Sequence, residues 1–435
     1  MSWPAQGLGP DGTCHIGTYR DPFGAALANK SASEKFKKIA AFDLDGTLIE
    51  TKSGRIAYKF VDEYDFRVWG SAPNDRKQVT SRLRRESEDG SLVVIITSQY
   101  NLTGEKLKRW RQRLNHIMRA LDVPAIIIVS TGKDSYRKPN AGWMDQLKWL
   151  WRSNGGTVPL DIGLSESQIS QIAPEHRSFF VGDAAGRLAS GSRKADFADT
   201  DRKLALNLSW QFYTPEEFFL GHKPLQHRLS GFQPPQELPV KAERAKIEDI
   251  HQQIAELGSR QQTMLILVGP QASGKSRLAT KLQNGQAWVR VNQDLLKTRA
   301  KCITVAEEAL KAGKCVVIDN TNPTREVRKI WTTLARNAGA RIVCVHFDLT
   351  QEEATHNDHY RSKRWLLSDE EHATSVSAPV PPKLPKPMPG VAFGTYFKTL
   401  AKPSKAEEDL DEVYTVGMEF EGSDLDRRAW TMRYE

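Results

Sequence analysis

Ile39-Ala40-Ala41-Phe42-Asp43-Leu44-Asp45-Gly46-Thr47-Leu48-Ile49 decides how this chain is read. Four apolar residues predict a buried strand, and the run then breaks into two aspartates, a glycine and a threonine. Side chains alternate faces along extended backbone, so Asp43 and Asp45 point the same way. Two carboxylates at the carboxyl end of a buried strand sit badly in a core and well beside a metal ion and a phosphate. The bland alternative is an acidic turn that Gly46 bends.

Working outward, apolar strands alternate with helical patterns from Glu34 to about Leu220, which predicts an α/β domain with a mainly parallel sheet. The strands read as 38–43, 92–97, 125–130 and 178–182. They end in Asp43, in Thr97-Ser98-Gln99, in Ser130-Thr131-Gly132-Lys133 and in Gly182-Asp183. Open α/β sheets bind ligands beyond these ends, so one cleft is expected there. Thr103 to Leu121 reads as an amphipathic helix with Leu107, Trp110, Leu114, Ile117 and Leu121 inward. Lys106, Lys108, Arg109, Arg111 and Arg113 are expected on its other face. Thr214-Pro215-Glu216-Glu217 reads as a capping box that opens the last helix of this domain.

A second α/β unit follows, with strands at 264–268, 288–292, 315–319 and 342–347 after a helix from Lys241 to Leu257. Its first strand runs into Gly269-Pro270-Gln271-Ala272-Ser273-Gly274-Lys275-Ser276, a Gly-x-x-x-x-Gly-Lys-Ser phosphate loop ahead of a helical pattern. Its backbone amides cradle phosphates, Lys275 meets the β- and γ-phosphates, and the Ser276 hydroxyl reaches a metal. This half is therefore expected to bind a nucleoside triphosphate through Gly269, Gly274, Lys275 and Ser276. Asp294, just after the next strand, reads either as a base that takes a proton from an attacking hydroxyl or as a helix cap. Asp319, in Val316-Val317-Ile318-Asp319-Asn320-Thr321-Asn322-Pro323, either holds the metal through water or orders the turn. The basic segment 355–364 reads as a helix or lid whose Arg361 neutralises phosphoryl charge, with Arg364 and a merely solvated face as alternatives. The Pro-rich stretch 376–391 is expected to be an irregular strap.

The chain of 435 residues carries a formal charge of +9 and a pI near 9.2, which favours an anionic partner. Cys14, Cys302, Cys315 and Cys344 show no Cys-x-x-Cys pair and are expected to be reduced core thiols in a soluble intracellular protein. No secretory signal or membrane-spanning apolar run is visible. The domain plan expected is a disordered tail over 1–32, a first domain over 33–222, a linker over 223–242 and a second domain over 243–435.

Asp43-x-Asp45-Gly46-Thr47 resembles the first motif of the haloacid dehalogenase superfamily. Thr97, Lys138 and Asp183 follow in the order that superfamily expects. With Val181-Gly182-Asp183-Ala184-Ala185-Gly186-Arg187, Thr214-Pro215-Glu216-Glu217-Phe218-Phe219 and Asp319-Asn320-Thr321-Asn322-Pro323, the chain resembles the eukaryotic polynucleotide kinase 3′-phosphatases from about residue 34 onward. The resemblance implies a haloacid dehalogenase-like 3′-phosphatase domain followed by a P-loop 5′-polynucleotide kinase domain. Asp43 would be the nucleophile, Asp45 the general acid and base, and Thr97 and Lys138 the phosphate holders. Mg²⁺ would sit with Asp43, Asp183 and the Asp45 carbonyl in the first domain, and with Ser276 and Asp319 in the second. ATP would be the phosphoryl donor, with Asp294 as base and Arg361 as clamp. The partners implied are 3′-phosphate and 5′-hydroxyl ends of DNA, with RNA open, acted on by a nuclear monomer away from membranes.

Three departures are visible. The family's amino-terminal phosphopeptide-binding domain is not expected here. Thr97-Ser98-Gln99 stands where the family more often has Thr-Asn-Gln, and Gln293 where it usually has arginine. A small-molecule kinase–phosphatase and a non-catalytic nucleic-acid scaffold are the rival readings.

Overall fold

A computed structural model describes residues 1–3, 12–23, 31–55, 59–156, 169–235, 247–285, 287–364, 385–420 and 422–434. They form two compact units, one built mainly on Met1–Gln233, the other on Pro234–Ser362 with Pro385–Thr431.

The strands of the first unit are β1 (Cys14–Tyr19), β2 (Lys38–Phe42), β3 (Ile49–Glu50), β4 (Arg67–Val68), β5 (Ser91–Ser98), β6 (Ala125–Ser130), β7 (Phe179–Val181) and β8 (Gln211–Tyr213). Six of them make one sheet in the order β1-β6-β5-β2-β7-β8, parallel except for β1. β3 and β4 pair separately as an antiparallel hairpin. The chain runs from β2 outward through β5 and β6, then returns to β7 on the other side of β2, so a crevice opens at the carboxyl end of β2. β2, β5 and β6 are buried on both faces, as near-continuous apolar strands must be when helices cover each side.

β1 corrects the expected disordered tail. Residues 14–19 pair antiparallel with β6 and bury Cys14 and Ile16. The stretch from 4 to 11 and that from 24 to 30 lie outside the described residues. The expected linker over 223–242 also changes character in its described part. Ser230 donates from its amide and hydroxyl to Asp199, at 2.6 and 3.0 Å, so this stretch is fastened to the first unit.

The helix after β5 spans Gly104–Leu121 and buries Trp110, Leu114, Ile117 and Leu121 as expected. Arg113 is a correction, because it lies wholly inside rather than on the solvent face. Its guanidinium donates to the Asp65 carbonyl at 3.2 Å and approaches Asp45 at 3.7 Å.

In the second unit, β9 (Thr263–Val268), β10 (Trp288–Val291), β11 (Cys315–Ile318), β12 (Arg341–Phe347) and β13 (Glu412–Val416) form an all-parallel sheet. Its order β10-β11-β9-β12-β13 puts β9 and the loop after it at the point where the winding reverses. The helix expected from Lys241 is described from Ile247 to Arg260, and 241–246 lie outside the described residues. Gln351–Lys363 is helical, so the basic segment is a helix up to Lys363. Of the expected strap, 376–384 lie outside the described residues, and a helix, Gly390–Thr399, begins within its last two positions. All four cysteines are free and buried. Among the described residues no helix is long and apolar enough to cross a membrane.

Candidate active sites

Asp43 leaves β2 with its amide bonded to the Val181 carbonyl at 2.9 Å, which ties it to the end of β7. Gly46 takes φ +86, and a Cβ there would collide with the Asp183 carboxylate. A Cβ at Gly182 would likewise meet the carboxylate of Asp201. Both glycines are thus needed for the close approach of acidic side chains. One carboxylate oxygen from each of Asp43, Asp183 and Asp201 lies within 4.8 Å of the others.

Lys138 reaches into this group, donating to Asp43 Oδ1 at 2.5 Å and lying 2.7 Å from Asp201. One ammonium faces three carboxylates, and the electrostatics follow from that imbalance. Burial first, then Asp201, pushes the Asp43 carboxyl up to about 7, although Lys138 opposes the shift. Burial, Asp43 and Asp201 push Asp183 up to about 8. Burial lowers the Lys138 ammonium's affinity for its proton, but Asp201 and Asp43 outweigh it and raise the pKa. Carboxylates this close, two of them buried and with one ammonium among them, make an all-oxygen donor set suited to a hard divalent cation. The donor set fits.

Asp45 faces another way. Gln99 Nε2 donates to its Oδ2 at 2.5 Å and to the Thr97 hydroxyl at 2.9 Å. Burial raises the Asp45 carboxyl above its ordinary value, against the opposing charge of Arg113. The Asp45 carboxylate, unlike its neighbour's, is outside the acidic cluster, and Asp201 stands within it. Asp43, Asp45, Thr97, Lys138 and Asp183 line one cleft of about 670 Å³ together with Lys106, Arg137 and Phe197. Sequence reasoning missed Asp201, Gln99 and Arg113.

In the second unit β9 ends in the phosphate loop. Ala272 and Gly274 take φ of +56 and +98, which turn successive amides toward one point before the helix Lys275–Asn284 begins. The Lys275 amine folds back over the loop, donating to the Pro270 carbonyl at 2.5 Å and the Ser273 hydroxyl at 3.2 Å. Burial pushes its pKa down to about 8; Asp319 opposes this shift and Arg361 adds to it.

Ser276 Oγ donates to Asp319 Oδ1 at 3.2 Å. The other oxygen of Asp319 accepts from Arg290 at 2.9 and 2.6 Å and from Asn292 at 3.1 Å, so Asp319 both orders the turn and faces Ser276. Asn292 caps the helix Gln293–Leu296 by accepting from Leu295 N at 3.1 Å. Asp294 is therefore not that helix's cap; it is exposed and lines a cleft of about 510 Å³ with Lys275, Ser276, Asp319 and Arg361. Arg361 also pairs with the buried Asp358, and Arg364 does not line the cleft. Gln293 and Arg299 lie on the same wall.

The comparisons with known proteins divide as the two clefts do. The family described as polynucleotide kinase 3 phosphatase matches residues 38–219, and the family described as AAA domain matches 264–375. A bifunctional polynucleotide phosphatase/kinase of Schizosaccharomyces pombe is 36% identical over 337 residues, covering 77% of this chain and 73% of its own. A putative bifunctional polynucleotide phosphatase/kinase of Acanthamoeba polyphaga mimivirus is 30% identical over 93% of this chain and 90% of its own. The polynucleotide 3′-phosphatase ZDP of Arabidopsis thaliana is 30% identical over 42% of this chain and 24% of its own, a match of about one domain's length. With an aspartate cleft ahead of a phosphate-loop cleft in a single polypeptide, and relatives matched across both, this chain belongs to the bifunctional polynucleotide phosphatase/kinases.

Proposed function

We propose that this chain heals broken DNA ends, removing 3′-phosphates in its first unit and phosphorylating 5′-hydroxyls with ATP in its second. One observation carries the reading: Asp43 points into an acidic, Lys138-bearing cleft, while Lys275 lines another at the phosphate loop. In the first cleft the Asp43 carboxylate attacks phosphorus, the bond to the 3′-oxygen breaks, and a phospho-aspartate forms. Asp45, whose carboxyl burial raises above its ordinary value, gives a proton to the leaving oxygen. The carboxylate then takes a proton from water, whose oxygen attacks the phospho-aspartate and releases inorganic phosphate. Gln99 and Arg113 hold Asp45 for both transfers, and Thr97 and Lys138 hold the phosphate. Asp43, Asp183 and Asp201, with the Asp45 carbonyl, would hold a divalent cation, in our reading Mg²⁺, which supplies charge neutralisation.

In the second cleft Asp294 takes the proton of the 5′-hydroxyl as its oxygen attacks the γ-phosphorus, and the bond from that phosphorus to the bridging oxygen breaks to release ADP. Lys275 and Arg361 stabilise charge on the transferred group, and Ser276 and Asp319 would hold the metal of the metal–ATP complex. The products, a 3′-hydroxyl and a 5′-phosphate, are the ends that ligation requires, which supports a role in DNA repair, in our reading in the nucleus. The net charge of +9 suits two polyanionic substrates.

The test is phosphate release from 3′-phosphate oligonucleotides and label transfer from ATP to 5′-hydroxyl oligonucleotides, each as DNA and as RNA. Turnover of DNA ends by both routes is expected. Preference for RNA would move the reading to RNA healing, and equal efficiency on mononucleotides would move it to small-molecule metabolism.

A further inference from the structure

Met432, Arg433 and Tyr434 belong to the first unit, although the helix just before them in the chain, Asp424–Trp430, belongs to the second. On the first unit this short segment closes around one side chain, Asn207. Asn207 Oδ1 accepts from the Arg433 amide at 2.8 Å, and Asn207 Nδ2 donates to the Arg433 carbonyl at 2.8 Å. The same nitrogen donates to the Pro139 carbonyl at 3.0 Å. Asn207 is buried, as are Met432 and Tyr434 on either side of Arg433, and Arg433 Nε donates to Gln233 at 3.1 Å. Both ends of the Asn207 carboxamide are therefore engaged. Its two neighbours bear on the cleft. Pro139 directly follows Lys138, and Asn207 lies on the helix Thr200–Leu208, whose first turn carries Asp201. Asp201 pairs with Lys138 at 2.7 Å and accepts from the Ala184 amide at 3.0 Å. That helix thus grips the Lys138 segment twice, at the ammonium through Asp201 and at the backbone through Asn207.

We propose that Asn207, clamped by the segment 432–434, is a positioning residue that sets where the Lys138 ammonium stands against Asp43. The proposal rests on the phosphatase reading and adds to it a stretch of chain that follows a helix of the second unit. Lysine carries its charge on a flexible four-carbon stem, so the ammonium is aimed only as well as its backbone is fixed. The Arg433 amide commits the carboxamide oxygen, which turns the nitrogen toward the two carbonyls. Without that nitrogen the buried Pro139 carbonyl loses its donor, and the backbone beside Lys138 shifts to find another. A small displacement of a group that stabilises a transferring phosphoryl is costly, because the charge it meets develops at one place.

The experiment measures single-turnover phosphate release from a 3′-phosphate DNA oligonucleotide by the full chain, with 5′ phosphorylation as the reference activity. Asn207→Leu, similar in size but without the amide, is expected to slow phosphate release by about 10- to 100-fold and to leave 5′ phosphorylation unchanged. Arg433→Pro removes the backbone donor that orients Asn207 and touches no residue of the cleft; a smaller loss in the same direction is expected. The deciding readout is the same pair of substitutions made on top of Lys138→Ala. A residue that acts through Lys138 has little left to lose there, so Asn207→Leu is expected to cost less than about 2-fold, whereas a merely structural residue costs the same factor in both backgrounds. Wild-type phosphate release by folded Asn207→Leu, or an equal factor in both backgrounds, overturns the proposal. If Asn207→Leu melts below the assay temperature, Arg433→Pro decides by the same comparison, and full activity in it overturns the proposal. Wild-type protein that releases no phosphate from the oligonucleotide overturns the phosphatase reading itself, and the positioning role with it.

Discussion

In the first unit three carboxylates, two of them buried, crowd around one lysine, whereas in the second a buried lysine sits at a loop of turned amides. Both sites lie beyond the carboxyl ends of parallel strands, where the winding of the sheet reverses. Their electrostatic imbalances have opposite sign: Asp43 and Asp183 are pushed up toward about 7 and 8, and Lys275 is pushed down to about 8. Each shift comes first from burial, and an opposite charge would offset it, a cation in one cleft and phosphate in the other. The comparison teaches that the same fold plan serves two phosphoryl reactions by inverting the sign of the charge it buries.

The sharpest break in the comparison is to remove one site and keep the other. Asp43→Ala is expected to cut phosphate release by roughly 10⁴-fold or more while leaving 5′ phosphorylation intact, since it removes the proposed nucleophile. Lys275→Ala is expected to do the reverse, lowering kinase turnover by about 10²- to 10³-fold. Loss of both activities in either folded variant would mean that the two clefts are one machine.

Asp294→Asn is expected to lower kinase turnover by about 10²-fold or more while nucleotide affinity, measured separately, stays unchanged. Its position on the cleft wall, with Asn292 already capping the helix, is what the proposed base role rests on. Unchanged turnover would return Asp294 to the solvent.

The acidic cleft should betray itself through pH and metal together. Because the Asp43 and Asp183 carboxyls are raised, the folded protein keeps protons that the unfolded chain has lost above about pH 4. Without metal, their contribution to stability is therefore largest below that pH and is lost as pH rises through about 7 to 8. A divalent cation should reverse the loss, so the metal-induced rise in Tm should be larger at about pH 8 than at about pH 5.5. Differential scanning fluorimetry with and without Mg²⁺ checks this, and a pH-independent increment would argue against the carboxylate cluster as the metal site.

The smallest effect is in the basic cleft. Lys275, pushed down to about 8, is partly neutral above that pH, and nucleotide phosphates should restore its charge. Nucleotide binding at about pH 8.5 is then expected to take up a fraction of a proton, seen by calorimetry in two buffers of different ionisation enthalpy. Lys275→Ala should remove the buffer dependence.

Much of this was legible in local pattern. The strands that carry the sites are apolar runs that end in polar residues, and both the Asp43-to-Thr47 run and the phosphate loop are contiguous, so their spacing is written along the chain. The misses share a physical cause. Arg113 lies at helical spacing from Trp110 and Ile117, and Asp201 from Leu204, Ala205 and Leu208. Periodicity pointed each inward while its charge argued for solvent, and only the partner across the fold settles that conflict. For Arg113 the partners are Asp45 and Asp65, and for Asp201 it is Lys138. Arg328 repeats the pattern in the second unit: it is buried on the face of Trp331, Thr332 and Ala335 and paired with Glu408 at 2.5 Å. β1 escaped for a related reason, since its six residues are extended only because β6 offers an open edge, and Gly17 lacks a Cβ where the Trp3 ring lies. The sequence by itself determined the two α/β units, the loops that bear their chemistry and the candidate nucleophile. Only the tertiary structure decided which buried charges meet, because a lone charge cannot be buried and its partner lies tens of residues away along the chain.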